Sequence, residues 1–273
     1  MEKYTFLFIF FFIAIFEACT SSTNNTNSLN DAKESADNQI SFFTTDTATT
    51  FIMDTLDNKS PRMSIKISLP FTKNKNAIEG NINTSIIYAA FGLDNMSPQA
   101  AIDSVLKTAR TDYLSLRPNY LNEKGMQHSA AWLNYELEVK GCYSTGYKNT
   151  INYTISSHTY NGGAHGLDTY AHLNFDAQSG EETKLQDLFI EDFEESLTAT
   201  LLSTLAKQIG VATIDEIEPA GYISTSEFYP TENFLLEKDS IVFLYNEYEI
   251  APYYMGKTRI AVGYNQLENI LKK

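Results

Sequence analysis

The 273-residue chain is 43% apolar and 13% aromatic, the composition of a folded protein and not of a disordered one. Its formal charge of −14 excludes a surface built for nucleic acid, because a phosphate backbone needs a basic face. Two cysteines exclude a disulfide-stapled scaffold, so stability has to come from a core.

At the amino terminus Lys3 precedes an apolar run of eleven residues, Phe6 to Phe16, followed by Glu17, Ala18 and Cys19. Crossing a hydrocarbon core takes roughly 20 residues, so this run suits the h-region of a signal peptide and not a spanning helix. Phe16-Glu17-Ala18-Cys19 resembles the lipobox of bacterial lipoproteins, in which a small residue precedes an acylated cysteine. The resemblance implies a signal peptide over 1–18 and a lipid on Cys19. The mature chain is then a membrane-anchored protein of the cell envelope, periplasmic or outer-membrane associated. With lipid on Cys19, Cys142 has no partner for an intramolecular disulfide.

Residues 19–58 are rich in Ser, Thr, Asn and Asp without apolar periodicity, which predicts a flexible tether. Within it Asp46-Thr47-Ala48 and Asp54-Thr55-Leu56 resemble the three-residue sites glycosylated on exported Bacteroidetes proteins. From Met63 the residues Ile65, Ile67 and Leu69 alternate with polar ones as a strand does, and Ile82 to Phe91 reads as a second β-rich stretch. Ser97-Pro98 supplies an N-cap and a first-turn proline for a helix carrying Ile102, Val105, Ala109, Tyr113 and Leu116, closed by Arg117-Pro118. Trp132 to Cys142 and Asn149 to Ile155, joined through Ser144-Thr145-Gly146, predict a hairpin. Thr169 to Asp176 predicts another strand.

A helix over 191–209 follows from Phe193, Leu197, Leu201 and Leu205, with Gly210 to end it. Phe234 to Leu236, Ile241 to Tyr245 and Lys257 to Val262 predict further strands, and Asn265 with Glu268 a capping box for a last helix. Strands and helices follow one another without regular βαβ alternation. That order points to an α+β fold of antiparallel sheets packed with helices in two subdomains, one over 59–157 and one over 158–273.

Acidity is concentrated. Between Ala177 and Gly256 sixteen Asp and Glu stand against three Lys, while the rest of the mature chain balances. A basic protein partner, or solubility alone, accounts for such a segment. The most distinctive loop is Tyr160-Asn161-Gly162-Gly163-Ala164-His165-Gly166, whose glycines permit positive φ and close backbone approach. Tyr160, Gly162, Gly163, His165 and Gly166 are the candidate ligand-binding residues. An alternative is hydrolase chemistry with His165 as general base oriented by Asp168. His158, His165 and His172 lie seven apart, a spacing without the short ligand pairs of a metal site, so no metal and no cofactor is expected. No nucleophile elbow or phosphate-binding loop is present. The seventeen tyrosines read chiefly as core and cross-strand pairs, with a sugar-stacking platform as the alternative.

Tyr160 to Gly166, Leu185-Gln186-Asp187-Leu188-Phe189, Asn233-Phe234 and the run Tyr245 to Tyr253 with Gly256 together resemble the DUF3298 family. Met63 to Ser157 resembles its frequent partner DUF4163. That pair occurs in the extracellular part of the anti-sigma factor RsiV, which binds lysozyme, and DUF4163 accompanies a catalytic domain in the deacetylase PdaC. The resemblance implies an envelope-facing module without the deacetylation or signalling parts. The expected function is therefore a non-catalytic recognition module, binding a lysozyme-like protein or a cell-wall glycan. An envelope hydrolase and a purely structural lipoprotein are the alternatives.

Overall fold

The computed structural model describes residues 40–73, 75–123 and 130–273, so the lipobox and Cys19 lie outside the described residues. Strand β1 (Phe42–Ile52) alternates half-buried and exposed positions along most of its length. A turn in which Asp54 Oδ1 accepts the Leu56 N–H at 3.0 Å leads into β2 (Arg62–Thr72), and the two strands pair antiparallel from Phe42–Thr72 to Ile52–Arg62. The expected tether over 19–58 thus gives way to sheet at Phe42. Threonine hides such a strand from a hydropathy reading: it is polar, yet its β-branched side chain favours a pleated surface.

Helix α1 (Ala77–Phe91) replaces the strand expected over Ile82 to Phe91. Asn76 caps it, its Oδ1 accepting the Glu79 N–H at 2.9 Å, and Gly92 ends it at φ 65°. Ile82 and Ile86, one turn apart, are buried in the same core as Ile65, Ile67 and Leu69 of β2. Helix α2 (Pro98–Ser115) begins at the expected Ser97 cap, and α3 (Arg117–Glu123) follows it. These helices form the crossover that lets β3 (Tyr135–Thr145) lie parallel to β2, Met63 opposite Tyr135, a pairing no short turn can make. β4 (Ile151–Asn161) returns as the expected hairpin and β5 (Leu167–Phe175) completes a sheet of order β1-β2-β3-β4-β5. The boundary expected between residues 157 and 158 falls inside β4, because β4 pairs with β3 on one side and β5 on the other.

After the short α4 (Leu185–Leu188), helix α5 (Glu194–Ile209) presents Leu197, Leu201 and Leu205 to a second core and stops at Gly210, φ 78°. Under it lies an antiparallel sheet of β6 (Phe234–Leu236), β7 (Ser240–Tyr245) and β8 (Thr258–Gly263). The last helix, α6 (Tyr264–Leu267), starts ahead of Asn265; its first turn is tied by the Gly263 N–H donating to Gln266 Oε1 at 3.1 Å. The fold is α+β, two helix-covered sheets each with its own core.

Asparagine side chains join the sheets. Asn233 accepts the His172 N–H at 2.8 Å and donates to the Tyr170 carbonyl at 2.9 Å. Asn246 accepts the Tyr170 N–H at 2.7 Å and donates to the same carbonyl at 3.1 Å. Asn174 answers from β5, donating to the Phe234 carbonyl at 2.7 Å and accepting the Leu236 N–H at 2.9 Å. A carboxamide carries the donor and acceptor of a peptide group, so each completes a ladder where no strand lies close enough. Asn174→Leu fills the volume but orphans two buried backbone groups, each costing about 1–3 kcal/mol. Urea unfolding should show a loss of about 2 kcal/mol or more, carried by the midpoint with an unchanged slope.

Candidate functional site

The loop between β4 and β5 is fixed by its glycines and by two local hydrogen bonds. Gly162 sits at φ 76°, where a Cβ would lie 1.9 Å from the Trp132 carbonyl oxygen, so only glycine lets the loop rest on that backbone. The Tyr160 hydroxyl donates to the Gly163 carbonyl at 3.0 Å, and His165 Nδ1 lies 2.8 Å from the Gly166 carbonyl oxygen. A carbonyl only accepts, so Nδ1 carries the hydrogen and Nε2 is the ring's remaining polar atom.

A second loop, between β7 and β8, meets this one. Asn246 N–H donates to Glu249 Oε2 at 3.0 Å, folding a turn in which Tyr248 takes the left-handed φ of 69°. Pro252 opens a 3₁₀ turn over Tyr253–Met255. The Tyr253 ring stacks on His165, centroids 3.8 Å apart and planes 17° apart, and on Tyr248 at 5.6 Å and 26°. Tyr253 is half-buried between two exposed rings. Its partial desolvation, then the charges of Glu247 and Asp168 and the Tyr248 phenol, raise the Tyr253 hydroxyl above the ordinary phenol pKa.

Asp168 does not orient His165, as the hydrolase alternative requires. It is the cross-strand partner of His158 and accepts the His158 Nδ1–H at 2.7 Å. Opposite residues on neighbouring antiparallel strands bring their side chains together on one face, whereas His165 stands out on the loop. His158 also packs over the loop's end: a Cβ on Gly166 would come within 2.5 Å of its Cε1. The third histidine is elsewhere. His172 Nδ1 lies 3.0 Å from Thr154 Oγ1, and burial first, then Lys257 and Arg259, push its pKa down to about 4. Among the described residues no three His, Cys, Asp or Glu side chains are grouped to hold a metal ion. Shallow clefts of about 480 and 350 Å³ lie around Pro98, and neither is lined by His165.

Of the candidate residues, Tyr160, Gly162, Gly163 and Gly166 shape the loop that presents His165. The sequence reading missed Tyr248 and Tyr253 as its partners. Both stand in the recognised Tyr245-to-Tyr253 run, but nothing local signals that this run folds against a loop more than eighty residues away. Asn233 and Asn246 of the same motifs are the clamps described above.

The profile of the family described as "Protein of unknown function (DUF3298)" matches residues 186–265, from α4 into α6. The likeness reaches further in three dimensions. The crystal structure of a DUF3298-family member from Bacteroides fragilis NCTC 9343 superposes with a TM-score of 0.76 at 29% identity, over 86% of this chain and 96% of its own. A DUF3298-family protein of Pseudomonas aeruginosa PAO1 shares the fold, with a TM-score of 0.57 at 15% identity over 85% and 95%. Both likenesses extend beyond the matched segment. By sequence, the chain is 27% identical over 128 residues to the peptidoglycan-N-acetylmuramic acid deacetylase PdaC of Bacillus subtilis strain 168. That alignment takes in 46% of this chain and only 27% of the deacetylase.

His172 gives the domain a pH dependence. The unfolded imidazole takes its proton near the ordinary 6.5 and the folded one only near 4, so between these values the unfolded state binds more protons. Stability should fall as pH drops from 6.5 to 4, by on the order of 3 kcal/mol, and this contribution should level off below. Denaturant unfolding across that range, repeated on His172→Asn, should show the slope reduced in the variant.

Proposed function

We propose that this protein is a non-catalytic recognition module of the cell envelope. Its binding face is the surface where the 160–168 and 246–256 loops meet. The observation that carries the reading is the open aromatic stack of Tyr248, Tyr253 and His165, with Asp168 committed to His158. A general base needs an orienting group and a cleft that positions substrate; the Gly166 carbonyl orients the imidazole, but the ring stands exposed on an open stack and neither cleft around Pro98 is lined by it. Similarity to part of a peptidoglycan deacetylase supports an envelope setting, and a lysozyme-like protein or a cell-wall glycan is the ligand. For a basic protein the acidic segment over 177–256 would speed encounter, an effect screened beyond about 8 Å at physiological salt.

Pull-down from envelope extract, with lysozyme and purified peptidoglycan tested beside it, examines this reading. The full chain should retain a ligand, and the double change His165→Ala with Tyr248→Ala should lower retention at least fivefold while the melting temperature holds. Retention untouched by both changes removes the stack from the binding face. Hydrolysis of either ligand that is lost with His165→Ala restores the enzyme alternative.

The same reading places the lipid anchor on Cys19. In cells fed labelled fatty acid, Cys19→Ser should abolish labelling and release the protein from membranes; persistent label on that variant would overturn the anchor. No helix among the described residues is long and apolar enough to cross a membrane.

A further inference from the structure

We infer that the Tyr248–Tyr253–His165 stack is a saccharide platform for pyranose chains without acidic substituents, an inference that rests on the recognition module above and names its ligand class. Sugars are bound by rigid aromatic rings that cover the C–H face of a pyranose while fixed polar groups take up its hydroxyls. Both parts are present. The two outer rings of the stack are exposed, Tyr248 by 59%, and each pairs with Tyr253. They are held before any ligand arrives: Tyr248 by the Asn246–Glu249 turn, His165 by the Gly166 carbonyl, and the central ring by its two neighbours. Preorganisation of this kind removes the cost of ordering side chains on binding.

The polar partners are acceptors. The Asp168 carboxylate, 54% exposed, is aimed by its bond to His158, while Glu247, beside Tyr248, adds negative charge from a side chain whose Oε2 is buried. Carboxylates accept hydrogen bonds from hydroxyls and acetamido N–H groups. They repel uronic acids and phosphate-bearing polymers, as does the surplus of sixteen acidic over three basic residues in the segment that supplies Glu247, Tyr248 and Tyr253. Charge therefore selects among the polysaccharides that aromatic faces alone would admit.

Placement suits a large extended ligand. The described chain joins the five-stranded sheet at Phe42, opposite Thr72, whereas the loop after Asn161 lies at the other end, in the row of Phe51, Met63 and Tyr135. Strands of eleven residues separate the two ends by about 35 Å.

Calorimetric titration of the full chain in detergent micelles with chitohexaose, uncharged and N-acetylated, and with polygalacturonate, anionic, tests this inference. Chitohexaose should bind saturably and polygalacturonate should not. Tyr248→Ala and His165→Ala should each weaken chitohexaose about tenfold, Tyr248→Phe should retain it, and Tyr143→Ala, an exposed tyrosine at the far end of the sheet, should leave it unchanged. Each variant is compared at an unchanged melting temperature. Absence of chitohexaose binding, preference for polygalacturonate, or equal weakening by Tyr143→Ala overturns the platform. If chitohexaose fails but lysozyme binds in a manner lost with Tyr248→Ala, the recognition module stands and its ligand is a protein. If neither binds and the envelope pull-down also retains nothing, the module falls with the platform.

Discussion

Carboxamides standing in for backbone hold this domain together. The two sheets meet at β5 and β6, which do not pair with each other as strands. Asn233, Asn246 and Asn174 bridge the gap in both directions. Water cannot reach the Asn174 bonds, since that residue is buried, so an unpaired partner there would bear the full desolvation penalty. Geometry adds to energy. Each amide accepts and donates at once, which fixes the slide of one sheet along the other, and an aspartate of the same shape could not do this.

The position of the aromatic stack follows from that clamp. His165 lies in the loop joining β4 to β5 of the five-stranded sheet, while Tyr248 and Tyr253 follow β7 of the three-stranded one. Asn246, two residues before Tyr248, is itself bonded to Tyr170, five residues beyond His165. The link that joins the sheets therefore also sets the ring spacing, and the left-handed Tyr248 is placed by a turn whose first residue is anchored. Loops positioned in this way by paired strands carry function more often than the strands themselves.

The sequence made the periodic elements legible and left the rest obscure for identifiable reasons. Ser97-Pro98 marks the start of α2 because capping and a fixed φ are local properties, and Leu197, Leu201 and Leu205 mark α5 because one helical face is uniformly apolar. The stretch around Ile86 misled, since a run of adjacent apolar residues has no period to separate helix from strand. β1 misled in the opposite way, its threonines counting as polar while pairing as strand. The glycine-rich loop was recognisable as shaped, but not what it was shaped against. Asp168 lies three residues from His165 in sequence, which suggested a pair; the alternation of β5 turned it to His158. Long-range facts of this kind, the amide clamps included, have no local trace in composition or spacing.

The clamp also leaves the five-stranded sheet asymmetric. On the β5 side the outward backbone groups of Tyr170 are already occupied by side chains. On the other side β1 has β2 as its one neighbour among the described strands of the sheet. An exposed strand is a template for another chain, but a sheet with a single open border cannot grow without limit. If two copies met along their threonine-rich margins, the result would be one closed pair with ten strands, and polymerisation through this sheet would stop there.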